Sequence, residues 1–460
     1  MNIVIIGAGE VGRDIAKTLS GEGNNIYVVE ENDDNAQNIK DDLDVQVIKG
    51  NGARPNVLAQ AGIHAGGNVD IMIACTDRDE VNMLSCLIAH TSGVKNIISR
   101  AKNLEFADSP DWAHKFGIDL MISPERSIAR EVVNLLAVSS ATHTAELLNG
   151  KAAIYAFKIA QNSPLVNITL KDMRTLYKNL IAIFVYVEHE NGDGLVPDGF
   201  TVLNQGDTCY VVTYKEKVWD LEELFNPSKI SKHLEKIFIV GGGKLGTQIS
   251  QRIRRDFGSV QLRLIEKDKE KAERLAYELG EALVICGDGA DKKLLYDEGI
   301  ETADGYVCAT DSDELNLIYS ALAKKMGAAK AIAVVKQKRY QELSDRLDIS
   351  IVNPNEALAA LILRMVHYPG HTRALSIIEK INAEMLELVM PEDNKMLGKT
   401  LMNLKLPKGV LIALMERGDK ILVPTGATQL LAGDHVILFA STDLMRQTAE
   451  LFGITYKNEN

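Results

Sequence analysis

No run of apolar residues in this chain approaches the roughly 18 that a membrane-spanning helix needs. The best candidate, LIAIFVYV at 180–187, has the length of a strand. No basic segment followed by an apolar one precedes the first strand, so a secretory leader is not expected. Positive charge is not in excess either. Lys and Arg number 51 against 63 Asp and Glu, a net charge of -12. Such a surface repels phosphate backbones and anionic leaflets, so no nucleic acid is expected as a partner. Cysteine is sparse: five residues, scattered, with no CxxC. Cys75, Cys209, Cys286 and Cys308 fall inside apolar strand-like runs, where small buried hydrophobes are expected rather than metal ligands or redox pairs. A reduced, cytoplasmic protein fits this usage.

Catalytic chemistry is missing as well. No G-x-x-x-x-G-K-[ST] pattern is present, so ATP hydrolysis is not indicated. A dehydrogenase needs a second domain that brings an acid or base to the nicotinamide. No His/Asp, Ser/His or Cys/His group recurs along the chain. His143, His189, His367, His371 and His435 stand isolated and read as structural or solvent-facing. His189, between Glu188 and Glu190, reads as part of a charged hairpin tip rather than as a metal ligand. No catalytic residue and no metal ligand is assigned.

What the chain does have is a repeat. IVIIGAGEVG at 3–12 returns as IFIVGGGKLG at 237–246, an offset of 234 (241 less 7). KGNGA at 49–53 is answered by CGDGA at 286–290, and TDRDEVN at 76–82 by TDSDELN at 310–316. Further on, LVPDGFTVLNQGD at 195–207 is answered by LVPTGATQLLAGD at 422–434. The order of these signals never changes. Each copy begins with apolar strand runs alternating with helical patterns, IVIIG, IYVVE, VQVIKG, IMIACT and NIISRA in the first. That spacing predicts a parallel sheet covered on both faces, the doubly wound α/β fold. Each copy then continues in short strands, with HENGDG at 189–194 reading as a hairpin turn. The organisation is therefore a large α/β lobe followed by a small β-rich lobe, twice. PSKISKH at 227–233 reads as the linker between the halves.

The glycine loops carry the chemistry. In G-x-G-x-x-G directly after a strand, the first glycine makes the tight turn, the second admits a pyrophosphate and the third lets the helix pack on the strand. The helix N-terminus then offers free N–H groups to an anion. Gly7, Gly9, Gly12 and Gly241, Gly243, Gly246 fit this pattern, with Glu10 and Val11, and Lys244 and Leu245, opening the helices. The next strand ends in Glu30 in one copy and Glu266 in the other, where a carboxylate accepts hydrogen bonds from ribose hydroxyls and repels a 2′-phosphate. That favours NAD or an adenine nucleotide over NADP. Asn51 and Asp288 follow the third strand and Thr76 and Thr310 close the fourth, all on the carboxyl edge where ligands bind. Asp77 with Glu80, and Asp311 with Glu314, have the spacing of a helix capping box. Arg100 and Lys102 form an i, i+2 basic pair expected on one side of the chain, within reach of phosphates. The second copy has Val334 and Lys336 instead. The first site should then prefer the more highly charged phosphates.

Together, GAGEVG, Glu30, KGNGA, TDRDEVN and the small lobe with LVP…GD resemble the RCK unit, the regulator of potassium conductance. Two units in one chain of this length resemble the TrkA-like family of cytosolic subunits of Trk potassium uptake systems. The resemblance runs from Ile3 to about Phe452. It implies RCK-N lobes over 1–136 and 234–368, a linker over 227–233, and RCK-C lobes over 137–226 and 369–460. It also implies a homotetramer whose eight units form a ring beneath a membrane potassium channel subunit of the TrkH/TrkG type, at the inner face of the cell membrane. NAD(H), ATP and ADP are the ligands implied for the N lobes. The residues that carry over are Gly7, Gly9, Gly12, Glu30, Asn51, Thr76, Arg100 and Lys102, then Gly241, Gly243, Gly246, Glu266, Asp288 and Thr310. Lys102 stands where the family often has Arg. AVSSATHT at 137–144 lacks the YPG that the second half shows at 368–370, which sets the two lobe junctions apart. The residues leave two other readings, an NAD-dependent oxidoreductase and a similar ring serving another cation transporter such as an antiporter.

Overall fold

In a computed structural model, the described residues are 1–21, 23–107, 110–228, 234–340, 343–354, 372–378, 381–418 and 420–453. Most of the expected linker, the YPG segment, the 368/369 boundary, His367 and His371 lie outside them. The described residues divide into two compact units, 1–125 and 126–453.

The first unit is one doubly wound lobe. Its strands are β1 (Asn2–Ile6), β2 (Asn25–Glu30), β3 (Gln46–Lys49), β4 (Ile71–Ala74), β5 (Asn96–Arg100) and β6 (Leu120–Ile122). They pair in the order β3-β2-β1-β4-β5-β6, every described pairing parallel. Such an order puts β1 at the centre, where the chain reverses direction across the sheet, and opens a crevice at the carboxyl ends of β1 and β4. The central strands are apolar throughout because helices cover both faces: Ile3, Val4, Ile5 and Ile6 are essentially inaccessible. Helices α1 (Glu10–Ser20), α2 (Asp33–Asp42) and α3 (Asp79–Thr91) rise from the carboxyl ends of β1, β2 and β4.

The second unit opens on α4 (Pro124–Ala137), whose residues from Arg126 onward belong to it. Ile128, Val132, Val133 and Leu136 of this helix are buried in one core with Ile237, Ile239, Val307 and Ile332. The helix lies so close to the second sheet that a Cβ on Gly305 would stand 2.4 Å from Leu136. A five-stranded antiparallel sheet follows, with β7 (Ala141–Leu147), β8 (Ala152–Lys158), β10 (Ala182–Glu188), β11 (Gly194–Leu195) and β13 (Thr208–Tyr214) in the order β11-β10-β13-β8-β7. A two-stranded pair, β9 (Ile168–Thr169) with β12 (Val202–Leu203), stands beside it. The expected hairpin at 189–194 joins β10 to β11, and His189 Nδ1 turns back to Asp207 Oδ1 at 2.9 Å. Helix α5 (Val218–Phe225) closes the lobe by stacking Phe225 on Phe157, ring centroids 4.9 Å apart.

The second doubly wound sheet contains β14 (Lys236–Val240), β15 (Gln261–Glu266), β16 (Leu283–Cys286), β17 (Gly305–Cys308), β18 (Lys330–Val334) and β19 (Ser350–Val352). Its order, β16-β15-β14-β17-β18-β19, is that of the first. Helices α6 (Lys244–Phe257), α7 (Lys269–Leu279) and α8 (Asp313–Lys325) take the places of α1, α2 and α3. The second small sheet runs β20 (Thr372–Ile378), β21 (Ala383–Val389), β24 (His435–Ser441), β22 (Leu411–Arg417) and β23 (Lys420–Leu422), followed by α9 (Thr442–Leu451). Its strand order matches the first small sheet position for position. The two small lobes bury a common core, in which Ile154, Tyr210 and Val212 of one pack with Met385, Ile437 and Phe439 of the other. Between them Tyr214 Oη donates to the Ile421 carbonyl at 2.8 Å.

Two buried features tie this unit together. Lys330 is 4% exposed, and its Nζ donates to the carbonyls of Leu135, Val138 and Ala141 at 2.5, 2.7 and 2.7 Å. A positive charge at the carbonyl end of α4 suits both its dipole and its unpaired acceptors. Glu222 Oε1 accepts from Ser139 Oγ, Ser140 N and Ser140 Oγ, pinning the turn before β7.

Four of the five cysteines are buried, as their apolar surroundings predict. Cys286 is not: it ends an edge strand and is exposed. In the run that precedes it Leu283 is exposed and Val284 and Ile285 are only half-buried, so the apolar residues there do not enclose their last member. Among the described residues no helix is long and apolar enough to cross a membrane, and no His/Cys/Asp/Glu group would hold a metal.

Candidate functional site

Each glycine loop leaves the central strand at its carboxyl end. Gly7 and Gly241 both have φ of +101°, a conformation that disfavours any side chain with a Cβ. Gly12 and Gly246 sit in the first turn of the following helix. A Cβ on either would fall within 2 Å of the carbonyl oxygen of Gly7 or Gly241. Gly9 and Gly243 differ. Among the described residues a Cβ on them meets nothing within 4 Å beyond their chain neighbours. The middle glycine therefore faces open space, the space a pyrophosphate would need.

Gly9 and Gly243 are also the N-cap residues of α1 and α6, with φ/ψ of -63°/-176° and -68°/-179°. Glu10 and Val11, and Lys244 and Leu245, supply the first helical residues. No side chain among the described residues caps either helix, whereas α2 and α7 are capped by Asn32 and Asp268. The first N–H groups of α1 and α6 are thus presented to the crevice with a partial positive charge.

The acidic residues lie against these loops. Glu30 accepts from Ala8 N at 2.5 Å and Asn32 N at 2.7 Å. Glu266 accepts from Gly242 N and Asp268 N, both at 3.0 Å. Each carboxylate therefore pins the second residue of its own glycine loop while retaining lone pairs for a ribose hydroxyl. Burial opposes ionisation of Glu266, but the Asp268 N–H, the Lys271 ammonium and the Gly242 N–H outweigh it and hold its carboxyl below the usual range. Cys75, buried beneath the first loop, is pushed up to about 12 by burial and stays a neutral thiol.

Asn51 and Asp288 each fold back on the turn they begin, accepting from Ala53 N at 2.8 Å and Ala290 N at 2.9 Å. The glycine after each is there for contact: a Cβ on Gly52 would stand 2.2 Å from Ile6, and on Gly289 2.4 Å from Val240. Thr76 and Thr310 are held by an asparagine that the sequence reading did not assign. Asn82 Oδ1 accepts from Thr76 N at 3.0 Å and Oγ1 at 2.7 Å, and Asn316 does the same for Thr310 at 2.9 and 2.6 Å.

The capping boxes expected at Asp77/Glu80 and Asp311/Glu314 do not form. Helices α3 and α8 begin two residues later, at Asp79 and Asp313. In α8 it is Ser312 that caps, accepting from Leu315 N. Asp79 and Asp313 reach across instead to the loop after the fifth strand. Asp79 accepts from Lys102 N and Asn103 N at 2.8 and 2.7 Å, and Asp313 from Lys336 N and Gln337 N at 3.1 and 2.9 Å. The repeated TDxDExN pattern at one offset was the available signal, since it placed Asp79, Asp313, Asn82 and Asn316 in register.

The basic pair is not set by strand alternation. Strand β5 ends at Arg100, so strand alternation does not extend to Lys102. Arg100 Nη2 pairs with Glu125 Oε1 at 3.0 Å, both largely buried, and Lys102 Nζ lies 3.8 Å from Asp77. Arg100 therefore arrives already compensated, although its Nε has no hydrogen-bond partner among the described residues. At the matching place Val334 is buried.

Two such crevices in one chain, each on the same constellation, match known families. The model for the TrkA-N domain matches residues 3–124 and 237–354, and that for the TrkA-C domain residues 385–453. The chain belongs to the TrkA family. A TrkA homologue of Methanosarcina mazei, named a Trk system potassium uptake protein, is 35% identical over 461 residues, covering 98% of this chain and all of that one. The TrkA of Vibrio alginolyticus, also named a Trk system potassium uptake protein, is 30% identical over 453 residues, covering 95% of each. Among solved structures, the GsuK channel bound to NAD superposes with a TM-score of 0.61 at 19% identity, covering 98% of this chain and 79% of that one. That likeness extends the shared TrkA fold through both repeats, doubly wound lobes and antiparallel lobes alike.

Proposed function

We propose that this TrkA-family chain is a nucleotide-sensing regulatory subunit of a membrane potassium uptake channel, with no chemistry of its own. The observation that carries the reading is the paired cradle, an open middle glycine at the uncapped N-terminus of α1 and again of α6. An acidic residue stands beside each to take a ribose. Relatives named as Trk potassium uptake proteins, and a neighbour solved with NAD, support the direction.

The ligands proposed are NAD(H), ATP and ADP. Gly7, Gly9, Gly12, Glu30, Asn51, Thr76, Arg100 and Lys102 would serve the first site. Gly241, Gly243, Gly246, Glu266, Asp288 and Thr310 would serve the second. RCK-N lobes over 1–136 and 234–368, each followed by an RCK-C lobe, are the proposed extents. The assembly proposed is a homotetrameric ring at the inner face of the membrane, under a TrkH/TrkG-like pore subunit. The nucleotide supplies negative charge at the helix N-termini. It shifts the pore only to the degree that its affinity differs between two ring shapes.

The test is calorimetric titration of the purified chain with NAD, NADH, ADP and ATP, alongside Gly9→Asp and Gly243→Asp. A carboxylate placed in the open cradle repels phosphate without crowding the fold. Each variant should lose binding at its own crevice. Unchanged binding of every nucleotide in both variants would remove the assignment, and turnover of a substrate with a change in NADH absorbance would turn it toward an oxidoreductase.

A further inference from the structure

The two crevices differ most where a dinucleotide's adenosine ribose would lie, in the turn after the acidic residue. The first reads Glu31-Asn32-Asp33-Asp34-Asn35 and the second Lys267-Asp268-Lys269-Glu270-Lys271. The backbone is the same in both: Asn32 accepts from Asn35 N at 3.0 Å, and Asp268 from Lys271 N at 2.8 Å. One fold thus carries two different charge patterns.

Around Glu30 the pattern is anionic. Glu31 follows directly and accepts from Asn51 Nδ2 at 3.1 Å. Lys49, the register partner of Glu30, is already paired with Asp33. Around Glu266 the pattern is mixed. Lys271 Nζ lies 2.7 Å from Glu266 Oε2, and Lys267 Nζ 3.4 Å from Asp288 Oδ2. The register partner of Glu266 is the neutral Cys286. The cation has moved from the third strand to the ribose turn.

A 2′-phosphate adds about two negative charges at that turn. Glu30 and Glu31 would repel that charge in the first crevice, as like charges near a protein surface do. In the second, Glu266 is the one carboxylate of that pair that remains, since Lys267 stands where Glu31 does, and Lys267 and Lys271 are counter-charges on flexible stems beside it, with side chains 82% and 37% exposed. Glu266 would keep its two backbone N–H donors if Lys271 turned to a phosphate. It would not be left as a bare buried charge, the outcome that makes breaking a buried pair costly.

We infer that the second crevice accepts an adenine dinucleotide bearing a 2′-phosphate, of the NADP(H) class, while the first rejects it, with Lys267 and Lys271 setting the difference. The inference rests on the nucleotide-binding reading proposed above.

Titration of the full chain with NAD and with NADP tests it, using wild type, Gly9→Asp, Gly243→Asp and the double variant Lys267→Glu/Lys271→Asn. NADP should bind once per chain, survive Gly9→Asp and vanish in Gly243→Asp. The double variant should weaken NADP by about tenfold or more while NAD changes by less than about threefold. The reverse exchange, Glu31→Lys/Asn35→Lys, should bring NADP into the first crevice and so tests the idea on a separate fold element. NADP lost in Gly9→Asp, NAD bound with NADP excluded from both crevices, or equal weakening of NAD and NADP in the double variant would each overturn the inference and leave nucleotide sensing intact. Silence toward every adenine nucleotide would overturn both.

Discussion

Gly12 stands so close to Gly7 that a Cβ on it would lie 1.9 Å from the Gly7 carbonyl oxygen. Gly246 repeats the relationship with Gly241 at 1.8 Å. Both atoms belong to backbone, so neither can yield without moving the helix. Gly12→Ala and Gly246→Ala should each destabilise by about 3 kcal/mol, in the range of overpacked cores. Gly9→Ala and Gly243→Ala meet open space and should leave stability within about 0.5 kcal/mol while weakening nucleotide binding. Chemical denaturation and calorimetry on the four variants separate the two roles.

Lys330 should be costly to remove. Its ammonium is the donor to three carbonyls around the end of α4. Lys330→Met would keep the aliphatic stem but leave buried acceptors without that donor, a loss of about 3 kcal/mol. The expected readout is a lower denaturation midpoint together with faster hydrogen exchange in 135–141. A midpoint equal to wild type would show that water replaces the ammonium.

Asp79→Ala and Asp313→Ala should loosen the loop after the fifth strand. Each carboxylate accepts from two successive backbone N–H groups of that loop. About 2 kcal/mol should be lost in each. Asp77→Ala and Asp311→Ala, at the positions that do not cap, should cost less than about 0.5 kcal/mol.

The pH dependence of the second crevice follows from Glu266. Burial disfavours its charged form, yet hydrogen bonds and Lys271 prevail, so the folded carboxyl titrates below its ordinary value of 4.5. A carboxyl depressed on folding adds stability above its unfolded pKa, and that contribution disappears as pH falls through the lower folded value. Melting curves of wild type and Glu266→Gln should therefore differ at neutral pH and converge as pH drops below about 4.5. A gap that persists unchanged into that range would contradict the assignment.

The parts of the site legible in advance were local ones. Gly7 and Gly12 follow from the steric demands of a strand turning into a helix, and their recurrence at Gly241 and Gly246 made the pattern specific. Placing the cap at Asp77 went astray because the helix begins two residues on, at Asp79, so that the residue before it, Arg78, holds the cap position. The spacing of Asp77 and Glu80 does not show where the first helical turn starts. Cys286 was misplaced because an apolar run looks alike whether its strand is central or at the edge of a sheet.

The residue order by itself determined the duplication, the alternation of strands and helices and the glycine cradles, since each is written in short spacings that steric and periodic rules decode. The tertiary structure alone decided that Glu30 holds Ala8, that Asp79 holds the loop at Lys102, that Arg100 is met by Glu125, and that the two small lobes share one core. These are contacts between segments distant in the chain. A carboxylate or an apolar face can be recognised in sequence, but its partner is chosen by which strands the sheet brings side by side.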